Sequence, residues 1–384
     1  MKFIKIFFKV LLTLIVAYLA IPYLLTPAYN FREPSEFYGE TFYNPYSEIE
    51  NLKSFKANFH YHSNTWGFLT DGRSRTNTAD NILKNYQNYG YHIAGISDYM
   101  SINPASIIPV YEHGMGIRKT HQLVIGSSNV TWFDFILPHK TNHKQFMINM
   151  LKTDDNLVVL AHPSWYNAYT PDDVKKLGNY NCMEILSTNR ESLALWDTAL
   201  SAGVPVFMLA NDDGHNAVNP NITGRIFNII YAKDLSSQSI IKSLKEGKNI
   251  AYEIPLSGNT SAQKKYHNEI IMPENISIEK DTIHIIFNDT IKTIRLKGQG
   301  GVVLSEAFNT AALSYPVKPS DTYMRCEAEL NNGTRIFMNP IIRGSNILND
   351  GSPSKNLNST MIFSTFMWLF FAFALYLFWR PKRK

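Results

Sequence analysis

The chain has 384 residues, 45% of them hydrophobic, and carries a formal net charge of +5 at pH 7. Seven basic residues stand at its two ends with no acidic residue among them, and subtracting these seven from +5 leaves −2 for the remainder. The seven are Lys2, Lys5, Lys9, Arg380, Lys382, Arg383 and Lys384. Because the positive charge belongs to the tails, the composition argues against a nucleic-acid partner.

Both ends of the chain contain an apolar segment long enough to cross a membrane. Residues 1–25 are predicted as a transmembrane anchor, with a cleaved signal peptide as the competing interpretation. Residues 361–379 carry no charge, and about 19 helical residues cross a hydrocarbon core of roughly 30 Å. Residues 380–384 form a basic tail. The positive-inside rule predicts that both termini are cytoplasmic and that the main domain is periplasmic or extracellular.

After a linker at 26–57, the region 58–264 alternates short apolar runs with helix-like stretches. Thr170 and Pro171 are typical of a helix start, and 193–202 is a second helix that ends before a glycine. Strands that alternate with helices predict a parallel α/β sheet or barrel.

The region 265–345 has a different pattern. Its runs are typical of antiparallel strands, and Asn331-Asn332-Gly333 is a hairpin turn signal. A small antiparallel β domain is predicted here, followed by a linker at 346–360. Cys182 and Cys326 lack metal-site spacing and are interpreted as two free thiols, with one disulfide as the alternative.

Histidines and carboxylates stand at the ends of several apolar runs. In His60-Tyr61-His62 both imidazoles face the same way on a strand, because strand side chains alternate. Asp213-Gly214-His215 repeats this arrangement, and His162 follows another apolar run. Glu112 offers two oxygens, which can bridge cations about 3.5–4 Å apart. Imidazole ligands of this kind favour Zn, Mn or Fe.

As an ordered set, these motifs resemble the polymerase-and-histidinol-phosphatase (PHP) superfamily over residues 58 to about 253. The motifs that carry the resemblance are His60-Tyr61-His62, Thr70-Asp71-Gly72, Ile96-Ser97-Asp98-Tyr99, Ile108-Pro109-Val110-Tyr111-Glu112, His121-Gln122-Leu123-Val124-Ile125-Gly126, Ala161-His162-Pro163 and Asp213-Gly214-His215. The resemblance implies a distorted seven-stranded β/α barrel, similar to a TIM barrel, that holds two or three divalent metal ions.

The resemblance also implies which residues hold each metal. The first metal would be held by His60, His62, Glu112 and Asp213, the second by Glu112, His121 and His162, and a third by Asp71 and His215. Tyr99 departs from the family pattern, which has histidine there, and a phenol with a pKa near 10 is a poorer ligand. The third site is therefore in question.

The function implied is a membrane-anchored hydrolase, a phosphoesterase that uses a water activated by two metals. His215 and Asp71 are the candidates for proton transfer. Arg118, Lys119 and Arg190 are the candidates for binding the phosphate of the substrate. The alternative is a catalytically degenerate barrel that acts as an envelope scaffold or binding protein, with Tyr99 as its main support.

Overall fold

A computed structural model describes residues 2–66, 75–188, 190–345, 347–348 and 352–380, which form a mixed α/β fold. Its helices are α1 (Lys2–Leu25), α2 (Ala79–Asn88), α3 (Thr141–Leu151), α4 (Pro171–Lys176), α5 (Leu193–Ser201), α6 (Ser237–Lys245), α7 (Thr260–Asn268) and α8 (Leu357–Trp379). Its strands are β1 (Tyr29–Asn30), β2 (Phe42–Tyr43), β3 (Lys53–Asn58), β4 (Ile93–Ala94), β5 (Val110–His113), β6 (Gln122–Ile125), β7 (Leu157–Leu160), β8 (Cys182–Ser187), β9 (Arg190–Glu191), β10 (Phe207–Ala210), β11 (Ile226–Ala232), β12 (Asn249–Glu253), β13 (Pro273–Glu279), β14 (Thr282–Lys297), β15 (Val303–Pro316), β16 (Tyr323–Glu329), β17 (Arg335–Met338), β18 (Ile341–Arg343) and β19 (Ser354–Lys355).

The predicted start of α4 is confirmed by its cap. The Thr170 hydroxyl accepts a hydrogen bond from the Asp173 backbone N–H, and Pro171 is the first residue of α4. A threonine before the first turn satisfies an N–H that has no partner inside the helix, and proline there loses no helical hydrogen bond. α5 begins at Leu193 and ends one residue earlier than expected.

The first sheet has the strand order β10-β8-β7-β6-β5, with β9 beside β8. β7, β8 and β10 are parallel, whereas β5 and β7 both run antiparallel to β6. Eight residues separate His113 from Gln122, fewer than the dozen or so that a parallel crossover needs. The short connection therefore forces an antiparallel hairpin between β5 and β6.

The second sheet has the strand order β13-β14-β16-β17-β12-β11-β3-β4, and β15 pairs with β14. β12 pairs antiparallel with β17, so strands from 58–264 and from 265–345 share this sheet. The antiparallel strands predicted after residue 265 are confirmed, as is the turn, where Gly333 N donates to Leu330 O at 3.0 Å. The division of the chain into domains stays a prediction.

The two sheets meet at the edge where the candidate ligands lie. Met100 N donates to Glu112 O at 2.8 Å, and His62 N donates to Gly214 O at 2.9 Å. Between β10 and β11 the Asn228 side chain replaces a backbone ladder, because its amide bonds both the N–H and the carbonyl of Ala210. The α/β class is confirmed, but no closed barrel is found among the described strands. The predicted seven-stranded barrel is therefore not shown.

The helices at the two ends, α1 and α8, are both long and apolar enough to cross a membrane. They pack against each other: Lys9 Nζ donates to Phe378 O at 2.8 Å, and Trp379 Nε1 donates to Thr13 Oγ1 at 3.0 Å. At their other ends, β1 pairs with β19. The two helices thus form an antiparallel hairpin joined to the rest of the chain at one end.

The main hydrophobic core lies around the first sheet. β7 and β8 are buried along their whole length, as expected of strands covered on both faces. From α5, Trp196 fills this core, and its indole N–H donates to Val206 O at 3.0 Å. Cys182 and Cys326 are both buried free thiols, as predicted.

Candidate metal centre

Seven of the eight predicted metal residues lie together at the ends of the central strands. The histidine pair 60 and 62 follows β3, Glu112 lies in β5, and His121 precedes β6. His162 follows β7, and the pair 213 and 215 follows β10. The eighth, Asp71, lies outside the described residues. Residues spread over 150 positions are neighbours because the strand ends that carry them lie at the same edge of the two sheets.

The first group consists of His60, His62, Glu112 and Asp213. The Nε2 atoms of His60 and His62 lie 3.2 Å apart. Asp213 Oδ1 lies 3.3 Å from His60 Nε2 and 3.6 Å from His62 Nε2. Glu112 lies 3.5 Å from His60 Nε2 through Oε1 and 3.1 Å from His62 Nε2 through Oε2. All four side chains point donor atoms into one small space.

The second group shares Glu112 with the first. Glu112 Oε1 lies 2.6 Å from His121 Nδ1 and 3.0 Å from His162 Nε2. Glu112 therefore has Oε1 beside the second group and Oε2 beside His62 of the first group. This is the arrangement that a carboxylate bridging two ions requires.

These donors fit divalent metal ions. Donors about 2.1 Å from a tetrahedral ion lie about 3.4 Å from one another, and the first group spans 3.1–3.6 Å. Within the part of the chain that the structure describes, three buried polar atoms here have no hydrogen-bond partner: His62 Nδ1, His162 Nδ1 and Glu112 Oε2. Glu112 Oε2 lies 3.1 Å from His62 Nε2 without hydrogen-bond geometry, and a cation there would give this buried acceptor a partner.

Two of the candidate ligands have a strained backbone. His162 has φ 29° and Asp213 has φ 46°, both in the left-handed region. This backbone conformation costs a residue other than glycine about 1–3 kcal/mol, and such residues cluster at functional sites. The backbone N–H of His162 donates a hydrogen bond to Glu184 Oε2 at 2.8 Å, which helps to hold this conformation.

Glu184 lies behind the candidate metal centre and contacts two of its histidines, and the sequence analysis did not name it. It lies in β8 and is fully buried. Its Oε1 accepts hydrogen bonds from His60 Nδ1 at 3.0 Å and from Asn211 Nδ2 at 2.9 Å. A carboxylate on the second ring nitrogen directs the first one, Nε2, toward a metal. The available signal was a single acidic residue inside an otherwise apolar strand.

Burial disfavours charge throughout the site, but neighbouring opposite charges outweigh it at several groups. Burial lowers the pKa of His60, yet the surrounding carboxylates raise it well above its ordinary value. Burial raises the pKa of Glu112, yet the adjacent histidines hold it well below its ordinary value. Burial, with His62 beside it, lowers the pKa of His215 to about 4. Metal binding to such ligands is accompanied by proton release.

Tyr99 lies at the site although it is not a histidine. Its ring stacks on His62 with centroids 4.4 Å apart, and its edge meets His121 at 5.5 Å. His215 also stacks on His62 at 4.4 Å, and its Nδ1 lies 4.0 Å from Asp213 Oδ1. Tyr99 therefore packs against a candidate ligand of each group.

Of the three predicted substrate-binding residues, Arg190 and Lys119 lie beside Trp165, whereas Arg118 is exposed. Arg190 donates to Asp213 Oδ2 at 2.7 Å, and its guanidinium lies 3.7 Å from the centroid of Trp165. Lys119 Nζ lies 5.6 Å from the same Trp165 ring. Arg118 is exposed. Arg190 and Lys119 thus put positive charge beside the metal centre, on a shared indole.

No family model and no curated protein matches the chain. Among solved structures, it is similar to a two-domain protein from Bacteroides vulgatus that contains a predicted PHP-like metal-dependent phosphoesterase. The two are 14% identical over 80% of this chain and 99% of that one, with a TM-score of 0.42. A similarity this remote identifies no family, so the function is argued from the site itself.

Proposed function

We propose that this chain is a membrane-anchored, metal-dependent phosphoesterase of the PHP type. The observation that carries the proposal is the pair of donor groups that share Glu112. Eight candidate ligands were named from sequence, and the seven within the described residues point their donors at one place. An ordered set that converges in this way favours a two-metal centre over isolated histidines.

Divalent ions held there would act as Lewis acids and lower the pKa of water toward 7. The chain's own residues would do the rest. Arg190, fixed by Asp213 and Trp165, is positioned to bind a phosphate oxygen, and Lys119 adds a second charge. Arginine suits this role because its planar fork matches phosphate oxygens. His215, whose side chain is 24% exposed, is placed to exchange a proton with the substrate.

The charge of the two ends supports a proposal for the location of the site. We propose that α1 and α8 cross the membrane and that the basic ends are cytoplasmic, which places the metal centre outside the cytoplasm. Reporter fusions at both termini test this topology. An external C-terminus would contradict it.

The test of function uses the full-length chain in detergent. Hydrolysis of phosphate monoesters and diesters is measured for the wild type, for His162→Ala and for His284→Ala. His284 is a matched control, because it lies in β14 and bonds Ser314 away from the site. We expect His162→Ala to lower kcat by at least about 100-fold, since a metal ligand is lost, and His284→Ala to have no effect. Metal binding without hydrolysis of any ester would favour the degenerate scaffold instead.

A further inference from the structure

The last turn of α1 packs directly on the segment that precedes α3 and on the first turn of α3. Tyr23 OH donates to Leu137 O at 2.7 Å, and its ring meets Phe135 and His143 edge-on at 5.0 and 4.8 Å. Tyr23 is two residues from the end of α1, which is about 3 Å along the helix axis. Leu137 therefore lies level with the end of a helix that is apolar enough to cross a membrane.

Large apolar side chains are exposed around this point. Ile117 is 63% exposed, Leu137 45% and Met115 42%. Ile117 N donates to Ile136 O at 3.1 Å, so the two loops that carry these residues are joined. We call Met115, Ile117 and Leu137 the loop patch. Exposed apolar side chains grouped in this way mark an interaction surface.

Basic residues accompany the loop patch. Lys140 and Arg118 are both exposed beside it in sequence. Burial, and in smaller part the charge of Arg118, lower the pKa of Lys144 in α3. Arg118 is therefore close enough to α3 for its charge to act on Lys144. Apolar side chains interleaved with cations suit a bilayer surface that contains anionic lipid.

The loop patch is also continuous with the metal centre. Ile117 and His121 are four residues apart, so their Cα atoms are at most about 14 Å apart. Between them, Lys119 places its Nζ 5.8 Å from the Tyr99 ring. At the start of this loop, a Cβ on Gly114 would lie 2.4 Å from His121 Cδ2. The loop thus packs on a candidate ligand at one end and carries exposed apolar residues at its middle.

We propose that the loop patch lies on the bilayer surface that α1 enters, and that the substrate is a phosphate monoester carried by a membrane lipid. This inference rests on the proposed function and names its substrate class. The lipid chains stay in the bilayer while the phosphate reaches the metal centre past Lys119 and Arg190. Water adds to phosphorus and the bond from phosphorus to the lipid oxygen breaks. The products are inorganic phosphate and a lipid alcohol, with the proton of the attacking water passed to the leaving oxygen.

The first test measures depth and does not depend on activity. Ile117→Cys and Leu137→Cys are labelled with an environment-sensitive fluorophore in full-length chain reconstituted into phosphatidylcholine nanodiscs. Cys182 and Cys326 are buried, and Phe308→Cys is the control, because Phe308 is 61% exposed on β15. We expect lipids that carry a quencher at the headgroup to quench the labels at 117 and 137 but not the label at 308. Equal quenching at all three positions, or none at 117 and 137, would overturn the inference.

The second test separates the lipid from a soluble ester. Release of phosphate from phosphatidic acid in nanodiscs is compared with hydrolysis of p-nitrophenyl phosphate, for Ile117→Ser, Leu137→Ser and Phe308→Ser. Removing about half of an aliphatic side chain from the lipid lowers the binding free energy by about 1 kcal/mol, which is a roughly fivefold change in the binding constant. We expect each loop-patch variant to lower lipid hydrolysis about that much and to leave the soluble ester unchanged, with Phe308→Ser changing neither.

The outcomes distinguish this inference from the proposed function. Hydrolysis of the soluble ester alone, or equal losses on both esters, would overturn the lipid substrate and leave the phosphoesterase standing. Hydrolysis of neither monoester would overturn the lipid substrate, and the proposed function would fall with it if phosphate diesters are not hydrolysed either. The depth measurement would then still decide whether the loop patch touches the bilayer.

Discussion

Replacing Glu184 by glutamine tests whether the metal centre depends on a residue that binds no metal itself. Glu184 accepts three hydrogen bonds, two at Oε1 and one at Oε2. Glutamine keeps one oxygen, so its NH₂ group must face a donor, either the His162 N–H or the His60 and Asn211 pair. The change also removes the negative charge that orients His60.

Loss of such a partner behind a metal ligand lowers metal affinity about 10- to 100-fold, which is about 1.4–2.7 kcal/mol. The affinity is measured by competition with a chelator, on the full-length chain in detergent. Glu327→Gln is the matched control, because Glu327 pairs with Arg325 and Lys297 in the second sheet. We expect the control to bind metal as the wild type does. An unchanged affinity in folded Glu184→Gln, or an equal loss in the control, would refute the role of Glu184.

Three further predictions concern the substrate, the fold and the effect of pH. Arg190→Lys keeps the charge but loses the stack on Trp165, so we expect KM for a phosphate ester to rise about tenfold with little change in kcat; an unchanged KM in steady-state kinetics would contradict this. Asp197→Ala leaves Arg325 buried without the two hydrogen bonds that its Nε and Nη2 donate to Asp197. Thermal unfolding should therefore show that the free energy of unfolding falls by about 3 kcal/mol, while metal binding is unchanged. An unchanged free energy of unfolding would contradict the buried ion pair. Burial lowers the pKa of Lys56 from 10.5 to about 7, so folding disfavours its charge, and this cost is full below pH 7 and disappears as the pH rises to 10.5. The free energy of unfolding of the wild type, measured relative to that of Lys56→Met, should therefore rise by up to about 5 kcal/mol across that range. A difference between the two that does not change with pH would contradict the lowered pKa of Lys56.

The sequence predicted much of the local structure because local signals decide it. Thr170 and Pro171 specify a helix start without help from distant residues. The antiparallel strands after residue 265 and the turn at Gly333 follow from alternation and turn chemistry in the same way. The apolar helices at both ends follow from length and composition.

The predicted barrel depended on how strands pair, which local patterns do not determine. An apolar run reads alike in a parallel and an antiparallel strand, so the reversal at β6 was not visible. The connection from His113 to Gln122 was the available clue, because it is too short for a crossover. The contact between β10 and β11 through the Asn228 side chain has no signature in the sequence.

The candidate site divides in the same manner. Histidines and carboxylates at strand ends were visible from the sequence, and their convergence follows from strand placement. Their role as ligands stays a prediction. Glu184 was missed because it has no spacing relation to His60, 124 positions away. Tyr99 was interpreted by what it lacks, whereas its ring packs on the predicted ligand His62.

The most direct test of the metal centre is the metal content of the purified full-length chain, compared with that of Glu112→Gln. Because Glu112 is shared by both donor groups, its loss should weaken both sites at once. We predict about two divalent ions per wild-type chain and fewer than one in Glu112→Gln, with the variant still folded. A wild-type chain without stoichiometric metal, or a variant that keeps the full amount, would contradict the two-metal account.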